Sequence, residues 1–136
     1  MLIEHDGSTA DATQTESEER YRVLVEGVGE AISVIDRDGV FRFMNTTAAQ
    51  RLGGRPADYL EKTVWDVFPK EIADRHVAAI RRVIETGQEL VSDSREMLQG
   101  QWYWYHTTVR PLRDATGRIS MAMIFARDIT ERKEQE

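Results

Sequence analysis

Cysteine is absent from all 136 residues. Its absence excludes a disulfide framework, a thiolate metal site, thioether-attached haem and a cysteinyl nucleophile. Histidine is scarce, and His5, His76 and His106 show none of the spacings of a metal site. No apolar run approaches the ~20 residues of a membrane span, and the N-terminus lacks the basic region, apolar stretch and small-residue cleavage site of a secretory signal. The segment is therefore expected to be soluble and cytoplasmic, with no membrane contact. Basic charge is also short: 18 Lys and Arg stand against 24 Asp and Glu, for a net charge of -6. With no basic stripe interleaved with aromatics, nucleic acid is not an expected partner.

Catalytic constellations are missing too. Ser33, Ser92, Ser94 and Ser120 lack the strand, glycine and helix context of a nucleophile elbow. Gly53-Gly54 has neither the preceding strand nor the following Lys of a phosphate-cradling loop. The acids of Asp36-Arg37-Asp38 sit in a turn, where their ordinary role is turn formation. No catalytic residue, resident metal or required cofactor is read from the chain, and an enzyme is not expected.

What is present is one domain's worth of patterned sequence, 40% hydrophobic and 31% charged. Residues 1–16 are small, polar and aperiodic, which predicts a flexible lead-in. Residues 17–29 read as an N-terminal amphipathic helix, with Tyr21, Leu24, Val25 and Val28 on one stripe and Gly27 and Gly29 as its stop. Residues 30–128 read as the core. Ala31 to Asn45 is a hairpin around Asp38-Gly39. Asn45 is placed to cap a short helix through Ala48, Ala49 and Leu52, and Pro56 to open another. Lys70 to Thr86 is the longest helical stretch, with Ile72, His76, Ala79, Ile80, Val83 and Ile84 largely on one face and Gly87 as terminator. Three strands follow: Glu89 to Leu98, Gln101 to Leu112 and Ile119 to Ala126, joined by turns at Gly100 and at Asp114 to Gly117. Met121, Met123 and Phe125 on one face of the last strand and Ala122, Ile124 and Ala126 on the other predict a central strand buried on both sides. Residues 129–136 read as the start of a C-terminal helix, with Asp128 and Glu131 spaced as a capping box.

Strand, strand, helices, strand, strand, strand is an α+β order in which the last three strands are antiparallel neighbours. AISVIDRDGVFRFMN, Trp65-Asp66-Val67-Phe68-Pro69, Glu85-Thr86-Gly87, WYWYHTTVRPLRDATGRI and the closing Asp128-Ile129-Thr130 occur in an order that resembles the PAS sensory domains of bacterial-type signalling proteins such as sensor histidine kinases. Glu61 departs from the pattern, since many members carry glycine there. The resemblance implies a five-stranded antiparallel sheet with short helices and one long helix on one face, and a C-terminal signalling helix. It implies a sensory or signal-relay module of a two-component system, with an output domain such as a histidine kinase in a longer parent chain. Without cysteine, the flavin-cysteine adduct of light-sensing relatives is excluded.

The resemblance also implies site residues. Tyr105, Thr107 and Val109 would face the helices and line any ligand cavity, joined by Ser33, Asn45, His76, Ile80, Arg95 and Ile124, with Arg110 a further polar candidate. Haem-binding members carry a histidine on the long helix and an arginine on the next strand; His76 and Arg95 are similar, so haem enters as one alternative, with flavin another and an empty dimerisation module a third. Trp104 would lie on the outer sheet face. Covering it with Tyr21, Leu24, Val25 and Val28 of a second copy implies a homodimer, while the same helix folding back within one chain is the competing arrangement. Arg127, Asp128 and Thr130 would relay a change in the sheet to the C-terminal helix.

Overall fold

The computed structural model describes residues 29–136. The expected lead-in over 1–16, and the helix over 17–29 with Tyr21, Leu24, Val25 and Val28, lie outside the described residues apart from Gly29. The chain forms β1 (Ala31–Asp36), β2 (Phe41–Met44), α1 (Thr46–Arg51), α2 (Pro56–Tyr59), α3 (Val64–Val67), α4 (Lys70–Thr86), β3 (Leu90–Leu98), β4 (Gln101–Arg113), β5 (Ile119–Asp128) and α5 (Thr130–Glu134). The strands make one antiparallel five-stranded sheet in the order β2-β1-β5-β4-β3. No helix among the described residues is long and apolar enough to cross a membrane.

The hairpin turns where Asp38-Gly39 predicts. Gly39 takes φ +81, and a Cβ there would come within 2.8 Å of the Trp65 ring. Asp36 Oδ1 accepts from the Asp38 and Val40 amides and holds the turn from inside. Asn45 then ends β2 and begins α1. Its Oδ1 accepts from the Ile32 amide at 3.0 Å and the Ala48 amide at 2.9 Å, while Nδ2 donates to the Glu30 carbonyl at 2.8 Å. Asn45 is fully buried, and this set of bonds makes such burial tolerable.

α4 starts at Pro69 without a side-chain cap and ends at Gly87 in the left-handed region, φ 71. Its stability therefore rests on packing. Ala73, Val77, Ile80, Val83 and Ile84 are buried against the inner sheet face, and each large side chain is worth about 1.5–3 kcal/mol. Along β2, the segment after α2 covers the open edge: the Phe41 amide donates to the Lys62 carbonyl and the Glu61 amide to the Phe41 carbonyl. Glu61 takes φ 71 to do so, the left-handed conformation that explains why glycine suits this position.

Two expectations are corrected. β5 is central, but only Ala122 on it is fully buried; Met121, Met123 and Phe125 on the outer face are half-buried. The outer face is covered unevenly: Ile32 and Val34 of β1 are buried there, whereas Val91, Met97 and Trp102 toward the β3 edge are exposed. The capping box from Asp128 to Glu131 does not form either. β5 extends through Asp128, Ile129 takes the N-cap position without a side-chain bond, and Asp128 Oδ1 instead accepts from the Thr130 amide at 2.9 Å, an Asx turn.

Asn45→Ala removes a cap and leaves buried backbone groups unpaired, and is expected to cost about 3 kcal/mol, read as a lower urea midpoint at unchanged slope. Glu61→Gly is expected to raise stability by about 1 kcal/mol, because glycine takes the left-handed conformation without the Cβ penalty. A midpoint that falls would mean that Glu61 contributes more through its ion pair with Arg42 than its backbone costs.

Candidate functional site

Between α4, the short helices and the inner sheet face lies a cavity of about 170 Å³. It is of the size that accepts a single aromatic ring. Small side chains leave the space: Ala31 and Ser33 on β1, Ala48 on α1, Ala79 on α4 and Ala126 on β5 all line it. Phe41, Met44, Val64, Phe68, Ile80, Leu98, Val109 and Ile124 make most of the remaining wall hydrocarbon. The polar groups reaching it are Ser33, Arg51, His76, Glu96, Tyr105 and Thr107.

Two of these groups pair with each other. His76 Nε2 lies 3.7 Å from Glu96 Oε1, and the His76 ring tilts against Phe68 with centroids 5.3 Å apart. Burial pulls the Glu96 carboxyl upward, but His76, Arg75 and Ser94 outweigh it and hold the group below its ordinary value. Arg51 is anchored differently. Its guanidinium donates to the Ala126 carbonyl at 2.8 Å and to the Gly29 carbonyl at 3.4 Å, and Cζ lies 4.9 Å from the centroid of the Tyr105 ring.

Tyr105 is 4% exposed, and burial pushes its phenol up to about 12 against the opposing Arg51 cation. No protein group among the described residues hydrogen-bonds its hydroxyl. Among the described residues no fully sealed side-chain polar atom lacks a partner, and Tyr105 lines the cavity, so this hydroxyl opens into it. It is a neutral donor at any ordinary pH.

Of the residues expected at a ligand site, Ser33, His76, Ile80, Tyr105, Thr107 and Val109 come together with Ile124 around this cavity. Asn45, Arg95 and Arg110 do not. Asn45 is fully occupied in joining β1 to α1. Arg95 is opposite Trp104 in the β3–β4 register, on the outer face, with its guanidinium 4.6 Å from the Trp102 ring centroid. Arg110 is also on that face, paired with Glu89 and lying over Phe125. Strand alternation is the reason: Glu96, one residue on from Arg95, is the inward residue. Arg51 and Glu96 were not anticipated. Counting by twos back from Leu98 would have found Glu96, and Arg51 sits one helical turn after the buried Ala48.

The haem arrangement does not fit. Arg95 is across the sheet from His76, and the cavity holds about one ring rather than a macrocycle. Among the described residues no cluster of His, Asp and Glu is arranged to hold a metal ion.

On the opposite face of β4 from the cavity lies the C-terminal junction. The Ile129 amide donates to the Trp104 carbonyl at 2.9 Å, and the Trp104 amide donates to Thr130 Oγ1 at 2.9 Å. Lys133 Nζ lies 5.2 Å from the Trp104 ring centroid and 3.9 Å from Asp93, whose carboxylate is also 2.7 Å from His106 Nδ1. Trp104 is thus on the outer face as expected, half-buried beneath α5, while Trp102 on the same face is exposed. Asp128 and Thr130 are in this junction; Arg127 is exposed and, among the described residues, makes no bond to α5, facing instead a polar groove with Glu30, His106, Thr108 and Arg110.

Comparison with known proteins agrees with this architecture. The profile of the PAS fold family matches residues 25–134. The two-component sensor PprA of Pseudomonas aeruginosa is 34% identical over 120 residues, 85% of this chain and 13% of that protein. The chain thus spans about 13% of the length of that curated relative. Among solved structures, the Vibrio cholerae VqmA dimer aligns with a TM-score of 0.76 at 24% identity, over 84% of this chain and 52% of that one. VqmA bound to DPO aligns at 0.74 and 23% identity over 81% of this chain and 56% of that one. The PAS domain of Bordetella pertussis BvgS aligns at 0.72 and 23% identity, over 88% of this chain and 91% of that one. At these identities the structural matches speak to the fold alone.

Because the Glu96 carboxyl is held below its ordinary 4.5, its pairing stabilises the fold at neutral pH and that contribution is lost as pH falls through the folded value. Glu96→Gln is expected to be less stable than the parent at pH 7, with the gap between their urea midpoints closing below about pH 4.5. A gap that stays constant with pH would assign the loss to packing.

Proposed function

This chain belongs to the PAS fold family, and on that premise we propose that it is a sensory relay module of a signal-transduction protein, which converts occupancy of its cavity into a change at its C-terminal helix. The observation that carries the reading is the position of two neighbouring residues on β4. Tyr105 opens into the cavity, and the backbone of Trp104 holds Ile129 and Thr130 at the base of α5. A ligand that moves Tyr105 therefore moves the strand position on which the helix is anchored.

The identity to PprA, a two-component sensor, supports an output domain such as a histidine kinase in a longer parent chain. VqmA bound to DPO supports the capacity of this fold to hold a small molecule. In this reading the domain performs no catalytic step and contacts no nucleic acid; it binds and transmits. Exposed Val91, Met97 and Trp102 supply an apolar patch on the outer face, which supports pairing of two copies as a homodimer.

In 15N-resolved NMR, single-ring fragments are expected to shift amides along β4 and α4 together with those of Ile129 and Thr130. Ala79→Phe, which fills the cavity, should abolish all of these shifts. Thr130→Val should preserve the cavity shifts and weaken those of α5. Shifts confined to the cavity in the parent protein would sink the relay.

A further inference from the structure

The side chains at one wall of the cavity select a kind of ligand. We propose that the cavity takes a small monocarboxylate on an apolar, ring-sized body, with its carboxylate held by Arg51 and Tyr105. This rests on the reading of the cavity as a ligand site.

The argument begins with charge. Glu96 is served by His76, 3.7 Å away, and by the Arg75 guanidinium, which hold its carboxyl down. Arg51 has no such counterpart: among the described residues it makes no ion pair, only bonds to the Ala126 and Gly29 carbonyls. A guanidinium carries five N–H donors, so these two carbonyls orient the fork without saturating it. Packing on the Tyr105 ring fixes its plane.

Hydrogen bonding points the same way. The Tyr105 hydroxyl, on a residue 4% exposed, opens into the space and has no partner among the described residues. A phenol donor beside a guanidinium fork is complementary to an acceptor that carries negative charge, and charge-assisted bonds are the stronger kind. Arg51 is itself half-buried, so a carboxylate beside it keeps part of its hydration. The rest of the wall sets the limit. Beyond Arg51 the space is bounded mostly by hydrocarbon, where a second anionic group would be stripped of water without a partner. One carboxylate satisfies Arg51 and Tyr105, an apolar body meets the hydrocarbon wall, and Glu96, already paired with His76, disfavours a second anionic group.

The test titrates the 136-residue chain with benzoate and, separately, with benzyl alcohol, a neutral molecule of similar shape, by isothermal calorimetry. Benzoate is expected to bind at least about tenfold more tightly, the scale of one charge-assisted hydrogen bond. Tyr105→Phe and Arg51→Gln should each shrink that preference while benzyl alcohol binding persists. Tyr105→Phe keeps the ring and so tests the donor even if Arg51→Gln fails to fold. Equal affinity for the two probes, or a preference untouched by Tyr105→Phe, would overturn the carboxylate assignment and leave the cavity reading standing. Failure of both probes to bind at millimolar concentration would overturn the two together.

Discussion

The buried carboxamide of Asn45 is the interaction on which the arrangement of the site depends. It spans β1, through Ile32 and Glu30, and the first turn of α1, through Ala48. A fully buried amide left short of partners costs on the order of 1–3 kcal/mol per group, so the chain has one direction in which to leave β2. That direction turns Ala48 and Leu52 toward the cavity and brings Arg51 onto the carbonyls of Gly29 and Ala126. The placement of a strand end, a helix and a cavity-lining cation thus follows from one side chain.

The cavity is a consequence of side-chain size as much as of topology. α4 lies across the inner face on a stripe in which Ala73 and Val77 pack closely while Ala79 falls short. Opposite it, the inner face of β1 presents Ala31 and Ser33, and that of β5 presents Ala126. Larger residues at these positions would fill the space, since interiors close-pack wherever side chains reach. Alanine and serine here leave room, and the ring-bearing Phe41, Phe68 and Tyr105 bound it.

Most of the fold is legible in the sequence because its signals are local. Asp38-Gly39, Asn45, Pro56 and Gly87 mark turns and helix ends by backbone chemistry that operates wherever they occur, and the bounds of α4 are those expected, although its buried stripe runs through Ala73 and Val77 while Ile72, His76 and Ala79 are half-buried. The site is legible only as far as alternation is counted correctly. Tyr105, Thr107 and Val109 share one parity and one face; likeness to the arginine of haem-binding members points Arg95 inward, although parity with Leu98 puts Glu96 there. A slip of one residue exchanges the faces of a strand. Asn45 illustrates a different limit: its polarity and position are evident, but whether an asparagine serves a helix cap or a ligand depends on where Ile32 and Glu30 lie, which is tertiary information. The Asp128–Glu131 spacing fits a capping box, yet β5 continues far enough to pair Asp128 with Tyr105, which moves the helix start one residue on and leaves an Asx turn.

In the proposed relay, the coupling between cavity and tail would be bounded by the bonds at the junction. Two hydrogen bonds to the Trp104 backbone, each worth about 1 kcal/mol net, and a Lys133 contact with its ring hold α5 to β4. A ligand changes the anchored population only through the difference in its affinity for the two states, and a coupling of about 1–3 kcal/mol corresponds to roughly 5- to 150-fold. That is the scale of this junction. Bonds much stronger would fix α5 whatever occupies the cavity, and bonds much weaker would release it without a signal. The side chains of Tyr105 and Trp104 point to opposite faces of one strand, so the inner face can sense while the outer face holds, with one peptide unit between them.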